Sequence, residues 1–205
     1  MKAVFLDRDG TMSLEGGYCH PDDFKLAPFT AEAVRLLNQR GWRVVVVTNQ
    51  SGVADGRFTL AQLHTCFEAM TQELARAGAW LEAIYFCPHS PTASVEAYRR
   101  DCEHKKPAPG MLLRAAEDLG LKLEECFMIG DMGYSDMQAG ARAGCRNILV
   151  RTGHGATSLG RYRQDWAAVE PDYIAANLLE AARWIAGQGQ GGLPVSGART
   201  RIVSL

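Results

Sequence analysis

The chain has almost no net charge: 22 Lys and Arg stand against 23 Asp and Glu, leaving a formal −1. Without a basic field, broad binding to nucleic acid or to a membrane surface is not expected, and any cations that matter must act locally. Long apolar runs are also missing. None approaches the length of a signal core or a membrane span, and Met1-Lys2 lead straight into a short strand, so a cytoplasmic protein is expected. With no export signal, the six cysteines are expected to stay reduced, as core residues or metal ligands rather than disulfides. No internal repeat is present. What remains is a 205-residue chain, 47% hydrophobic and 22% charged, ordinary for one globular domain with a full core.

Short apolar runs alternate with helical patterns, which predicts an α/β fold with a mostly parallel sheet buried on both faces. Strands are expected at Ala3–Leu6, Arg43–Val47, Ala83–Phe86, Phe127–Ile129 and Asn147–Val150, with a short apolar piece at Tyr173–Ala175. Helices are expected from Thr30 to Arg40, from a Thr59/Gln62 capping box to near Gly78, over Gly110–Leu119, over Ser135–Ala143, and after Asn177 and Glu180. From Gly187 onward five of nineteen residues are glycine and the apolar period disappears. Residues 1–186 are therefore expected to form the domain and 187–205 a flexible tail.

Ligands of open α/β sheets collect beyond the carboxyl ends of strands. Three strand ends here are polar: Asp7-Arg8-Asp9-Gly10-Thr11, Thr48-Asn49-Gln50-Ser51-Gly52, and Gly130-Asp131 with Asp136 beyond. In an extended chain Asp7 and Asp9 project to one side while Arg8 points away. One carboxylate could attack phosphorus and the other pass a proton to the leaving oxygen. Taken singly, each piece has a plainer explanation: Asp-x-Asp-Gly-Thr as an acidic turn, Thr48-Asn49 as a turn start, Lys106 as a solvated lysine, Asp131 and Asp136 as helix caps.

Between the third strand and Lys106 lie Cys87-Pro88-His89 and Cys102-Glu103-His104, two close pairs in a loop without helical or strand period. Two thiolates and two imidazoles suit a closed, structural Zn²⁺ site, which would also set the direction of Lys105-Lys106. The alternative is two buried cysteines and two surface histidines. Cys19, Cys66, Cys126, Cys145, His20, His64 and His154 have no such pairing and receive no role.

Taken together, Asp7–Thr11, Thr48-Asn49, Lys106-Pro107 and Gly130-Asp131…Asp136 resemble the four ordered motifs of the haloacid dehalogenase (HAD) superfamily of phosphatases. From Met1 to about Ile185 the chain is most similar to the branch of heptose bisphosphate and histidinol phosphatases, through Gly17-Tyr18, Val46–Gly52, Cys87-Pro88-His89, Lys106-Pro107 with Pro109-Gly110-Met111, and Leu149–Gly153. The resemblance implies a Rossmann-like fold without a large cap domain, agreeing with the roughly forty residues available between Asp7 and Thr48. It implies Asp7 as nucleophile, Asp9 as general acid and base, and Thr48 and Lys106 as electrostatic partners of the phosphate. Mg²⁺ would be held by Asp7, the Asp9 carbonyl and Asp131, with Asp136 in support. Arg8, Asn49, Gln50, Ser51, Lys105 and a flap of Glu15, Gly16, Gly17 and Tyr18 would face the substrate. Relatives carry a zinc loop at Cys87, His89, Cys102 and His104, commonly with Cys at the last position.

Three departures bear on substrate choice: Lys105 stands for a usual Arg, Met132 for a basic residue, and Asp131 and Asp136 are one residue further apart than in the heptose enzymes. The expected protein is a monomeric, Mg²⁺-dependent phosphatase of a small phosphorylated metabolite. Heptose bisphosphate leads the candidates, ahead of histidinol phosphate or another small monoester. Phosphotransfer to an alcohol, or a zinc-stabilised binding protein without chemistry, are the rivals.

Overall fold

The computed structural model describes residues 1–17, 19–188 and 200–205. Seven strands form one sheet, all parallel: β1 (Ala3–Leu6), β2 (Arg43–Asn49), β3 (Ala83–Cys87), β4 (Phe127–Gly130), β5 (Arg146–Val150), β6 (Tyr173–Ala175) and β7 (Arg201–Ser204). Their order is β6-β5-β4-β1-β2-β3-β7. The chain winds outward from β1 in one direction through β2 and β3, then returns to the other side at β4. That reversal opens a crevice above β1, where open α/β sheets bind ligands.

The strands are apolar on both faces because both are covered. Val4, Leu6, Val44, Val46, Ile84 and Phe86 pack under α1 (Thr30–Gln39), α2 (Leu60–Arg76) and α6 (Leu178–Gly187). The alternate residues Ala3, Phe5, Val45, Val47, Ala83 and Tyr85 pack under α3 (Gly110–Leu119) and α4 (Gln138–Ala143). A short α5 (Gly155–Leu159) lies beyond β5. No described helix is long and apolar enough to cross a membrane.

Most expected boundaries are met within a residue or two. The Thr59/Gln62 capping box forms in full, and Gly120 and Gly144 end their helices in the left-handed region. Thr30 differs: it is the first helical residue, and its hydroxyl donates to the Met12 carbonyl instead of capping. Glu180 accepts from the Ala176 N–H while Asn177 caps α6 alone. The expected helix at Ser135 begins earlier, as a π-helical turn over Gly133–Met137 that runs into α4. Such a turn holds one residue more than an α-turn, and it lies within the stretch that carries Asp131 and Asp136.

The end of the chain corrects the expected tail. Arg201–Ser204 pairs with β3, Ala83 opposite Arg201 through Phe86 opposite Ser204. The Ile202 side chain packs on one face of the sheet and Val203 on the other. An isolated four-residue apolar segment gives too little period to be seen from sequence, yet it completes an edge that would otherwise be open. Residues 189–199 of the expected tail lie outside the described residues.

Candidate active site

Asp7 follows directly on β1 and Asp9 stands in the turn just beyond, and both line the cleft. The Asp7 N–H is tied to the Ile129 carbonyl of β4 at 2.9 Å. Gly10 turns the chain at φ +85°, and a β-carbon there would sit 2.1 Å from Asp131 Oδ2, so only glycine fits against that acid. Thr152 Oγ1 donates to the Gly10 carbonyl at 2.6 Å, which locks the β5 end onto the β1 turn.

Lys106 occupies the centre. Its Nζ is 2.7 Å from both Asp7 Oδ1 and Asp136 Oδ1, with all three side chains buried. Asn49, at the end of β2, brackets the lysine main chain: its Nδ2 donates to the Lys106 carbonyl at 2.9 Å and its Oδ1 accepts from the Lys106 N–H at 3.0 Å. Asp136 is fixed on its other oxygen by the Met132 N–H at 2.9 Å. Asp131 accepts from the His154 N–H at 2.7 Å.

Asp7, Asp131 and Asp136 present carboxylate oxygens within 4.8 Å of one another. Burial pushes the Asp7 carboxyl up to about 7, with Lys106 opposing and Asp136 and Asp9 adding to the rise. Asp131 is pushed up to about 8 by burial and by Asp7 and Asp136. Burial alone would make Lys106 a weaker base, but Asp136 and Asp7 outweigh it and its proton is held more tightly than usual. Three acids share one ammonium, so when ionised they leave two negative charges uncompensated. An all-oxygen donor set with that deficit fits a hard divalent cation such as Mg²⁺.

Asp9 is held differently. Arg8 Nη2 lies 2.8 Å from its Oδ1, and Gln50 Nε2 donates to its Oδ2 and to Thr48 Oγ1, both at 2.9 Å. Arg8 itself, expected among the substrate contacts, does not reach the cleft. It is fully buried, with its guanidinium 4.7 Å from the Phe24 ring and 5.6 Å from that of Phe67. The substrate contact that the resemblance implies for Arg8 is not made; the alternation read from the sequence, which turned Arg8 away, is what the structure follows. Gln50 is likewise taken up by Asp9 and Thr48, and buried Thr48 stands behind the acids.

The cleft holds about 460 Å³ and is lined by Asp7, Asp9, Gly17, Asn49, Ser51, Lys105, Lys106, Met132, Tyr134, Ser135, Asp136 and His154. Of the expected flap, Gly17 lines it; Gly16 packs so tightly that a β-carbon would lie 2.7 Å from the His154 ring and 2.8 Å from Asp131. Glu15 is exposed, and Tyr18 lies outside the described residues. His154, given no role from sequence, proves to hold Asp131 and line the cleft. Its signal was its place just past β5, the same strand-end position that marks the other site residues.

In the cysteine loop, Cys87, His89 and Cys102 present ligand atoms within 4.8 Å of one another. Burial pushes the Cys87 thiol up to about 12, which disfavours an unpartnered thiolate and leaves metal coordination as the route to one. The donor set fits Zn²⁺. His104 stands outside the trio, with Nδ1 3.9 Å from Cys102 Sγ, so four expected ligands appear as three plus one.

A strand-end carboxylate paired with a buried lysine, beside an acid cluster that fits a dication, at the switch point of a parallel sheet, suits a phosphate-ester hydrolase. The comparisons with known proteins agree. A HAD-hydrolase-like family model matches residues 104–181. The D-glycero-beta-D-manno-heptose-1,7-bisphosphate 7-phosphatase of Escherichia coli K12 is 44% identical over 166 residues, 80% of this chain and 86% of that protein. The D-glycero-D-manno-heptose-1,7-bisphosphate 7-phosphatase of Thermosynechococcus vestitus is 42% identical over 189 residues, 89% of this chain and 94% of that protein. The crystal structure of the D,D-heptose 1,7-bisphosphate phosphatase of B. bronchiseptica, complexed with magnesium and phosphate, matches at a TM-score of 0.80 and 32% identity, covering 92% of this chain and 100% of that one. The chain belongs to the HAD-like phosphatases and is a phosphoric monoester hydrolase.

Proposed function

We propose that this enzyme removes the 7-phosphate of D-glycero-D-manno-heptose 1,7-bisphosphate through an aspartyl-phosphate intermediate on Asp7. The observation that carries the reading is the Asp7–Lys106 contact of 2.7 Å in the cleft, in a chain closely similar to phosphatases of that name. Asp7 attacks phosphorus opposite the ester oxygen, and the P–O bond breaks as the Asp7–P bond forms. Asp9 gives its proton to the departing sugar oxygen. It then takes a proton from a water that attacks the acyl phosphate, releasing inorganic phosphate and restoring Asp7.

Lys106, with Asn49 beside it in the cleft, compensates charge on the phosphate oxygens, the dominant requirement of phosphoryl transfer, while Thr48 acts from behind the acids through Gln50. Mg²⁺, which Asp7, Asp131 and the Asp9 carbonyl would hold with Asp136 behind them, supplies further neutralisation. Cys87, His89 and Cys102 would hold a structural Zn²⁺, with His104 as the fourth donor beside Cys102, anchoring the loop that leads into Lys105 and Lys106.

Phosphate release should be measured with Mg²⁺ over heptose bisphosphate, histidinol phosphate and simpler monoesters, with metal content determined on the same sample. Heptose bisphosphate is expected to be turned over with the highest kcat/KM, and Asp7→Asn to be inactive. Absence of phosphate release from every ester defeats the proposal, as does full activity in Asp7→Asn.

A further inference from the structure

Among the described residues, seven large hydrophobic side chains are exposed, and two of them, Met132 and Tyr134, line the cleft that holds Asp7. Both project from the start of the π-helical turn, where the backbone is pinned on two sides. The Met132 N–H is held by Asp136 at 2.9 Å, and the Gly133 N–H donates to Ser158 Oγ at 2.7 Å. Gly133 is wedged beneath Trp166, whose Cε2 would lie 2.0 Å from a β-carbon there. A fixed backbone thus presents a half-exposed phenol whose hydroxyl makes no hydrogen bond among the described residues. Lys105 lines the same cleft and, among the described residues, makes no ion pair. Apolar surface left uncovered inside a ligand cleft is covered by ligand.

We propose that Tyr134, with Met132 on the same cleft lining, is a ring-binding wall that receives the carbon body of the ester and so selects ring-bearing substrates over compact ones. The inference rests on the phosphatase reading above but not on which sugar is the substrate. With the phosphate at Asp7, the rest of the ester must leave across the outer cleft, where Tyr134 offers a flat face that costs little conformational entropy to order. The π-helical turn over Gly133–Met137 is the device that places this ring.

The test uses wild type, Tyr134→Ala and Tyr134→Phe with heptose bisphosphate and with acetyl phosphate, which engages the same nucleophile but carries no ring. Tyr134→Ala should raise KM for the sugar ester by about three- to tenfold, the range of one ring contact, with kcat held within about twofold, since the contact acts on binding alone. Its constants for acetyl phosphate should stay within about twofold of wild type, and Tyr134→Phe should behave as wild type on both. Equal losses on the two substrates would mark a merely structural residue and overturn the proposal; so would an unchanged KM for the sugar ester. If wild type leaves heptose bisphosphate intact, the substrate reading fails by itself. The same comparison between p-nitrophenyl phosphate and acetyl phosphate then decides the role of Tyr134.

Discussion

Replacing Asp131 with Asn should flatten the pH dependence of stability in protein from which magnesium has been omitted. Asp131 is 1% exposed, and its carboxyl is pushed from 3.8 to about 8 by burial and by Asp7 and Asp136. Between those limits the folded state keeps a proton that the unfolded state has lost. The associated stability is therefore fully present below about pH 4, declines as pH rises, and is gone above about 8. At about 1.4 kcal/mol per pH unit, the three units from pH 5 to 8 amount to about 4 kcal/mol for this one group. Asn is isosteric and keeps an oxygen for the His154 N–H, so the fold is retained. Urea titrations at pH 5, 6, 7 and 8 should show wild type losing stability across the series and Asp131→Asn losing less, with a remaining slope from Asp7, itself pushed up to about 7. Adding magnesium should recover wild type at pH 8 and leave the variant unchanged, because a ligand stabilises only the state that binds it. Parallel slopes for the two proteins would refute the electrostatic account of the acid cluster.

Lys106→Met removes the cation shared by Asp7 and Asp136; stability near neutral pH should fall by about 3–5 kcal/mol, and phosphate release by at least about 100-fold. Denaturant melts and a phosphate assay check both, and a variant of unaltered stability would contradict the buried contacts. In Gly10→Ala the new methyl meets Asp131 at a positive φ, so a loss of more than about 1 kcal/mol is expected by melting, accompanied by weaker activity. Cys87→Ser should lower bound zinc, measured by elemental analysis, to well under one equivalent per chain; full occupancy would remove Cys87 from the ligand set.

The sheet was legible because its strands are short and apolar on both faces, and three of them are closed by polar residues. The same strand-end logic placed Asp7, Asp9, Asn49, Asp131 and Asp136 at one locus, the resemblance added Lys106, and the structure brings them together. What escaped the sequence depends on direction rather than identity. Arg8 was given a place facing the substrate by the resemblance alone; the alternation that turned it away in the sequence is what the structure follows. His154 carries no motif and acts through its main-chain N–H. The π-helical turn differs from an α-turn by one residue, below what periodicity resolves, and β7 is too short and too isolated for its pairing with β3 to be anticipated.

The buried Arg8 makes the proposed proton donor and the fold share one ion pair. Its guanidinium, 0% exposed and enclosed by Phe24 and Phe67, finds its carboxylate in Asp9. Any exchange of Asp9 for a neutral residue strands a cation away from water, an expensive condition in a protein interior. Selection for a stable chain and selection for an active one therefore act on the same atom pair, and loss of chemistry by drift at Asp9 would carry its own folding penalty.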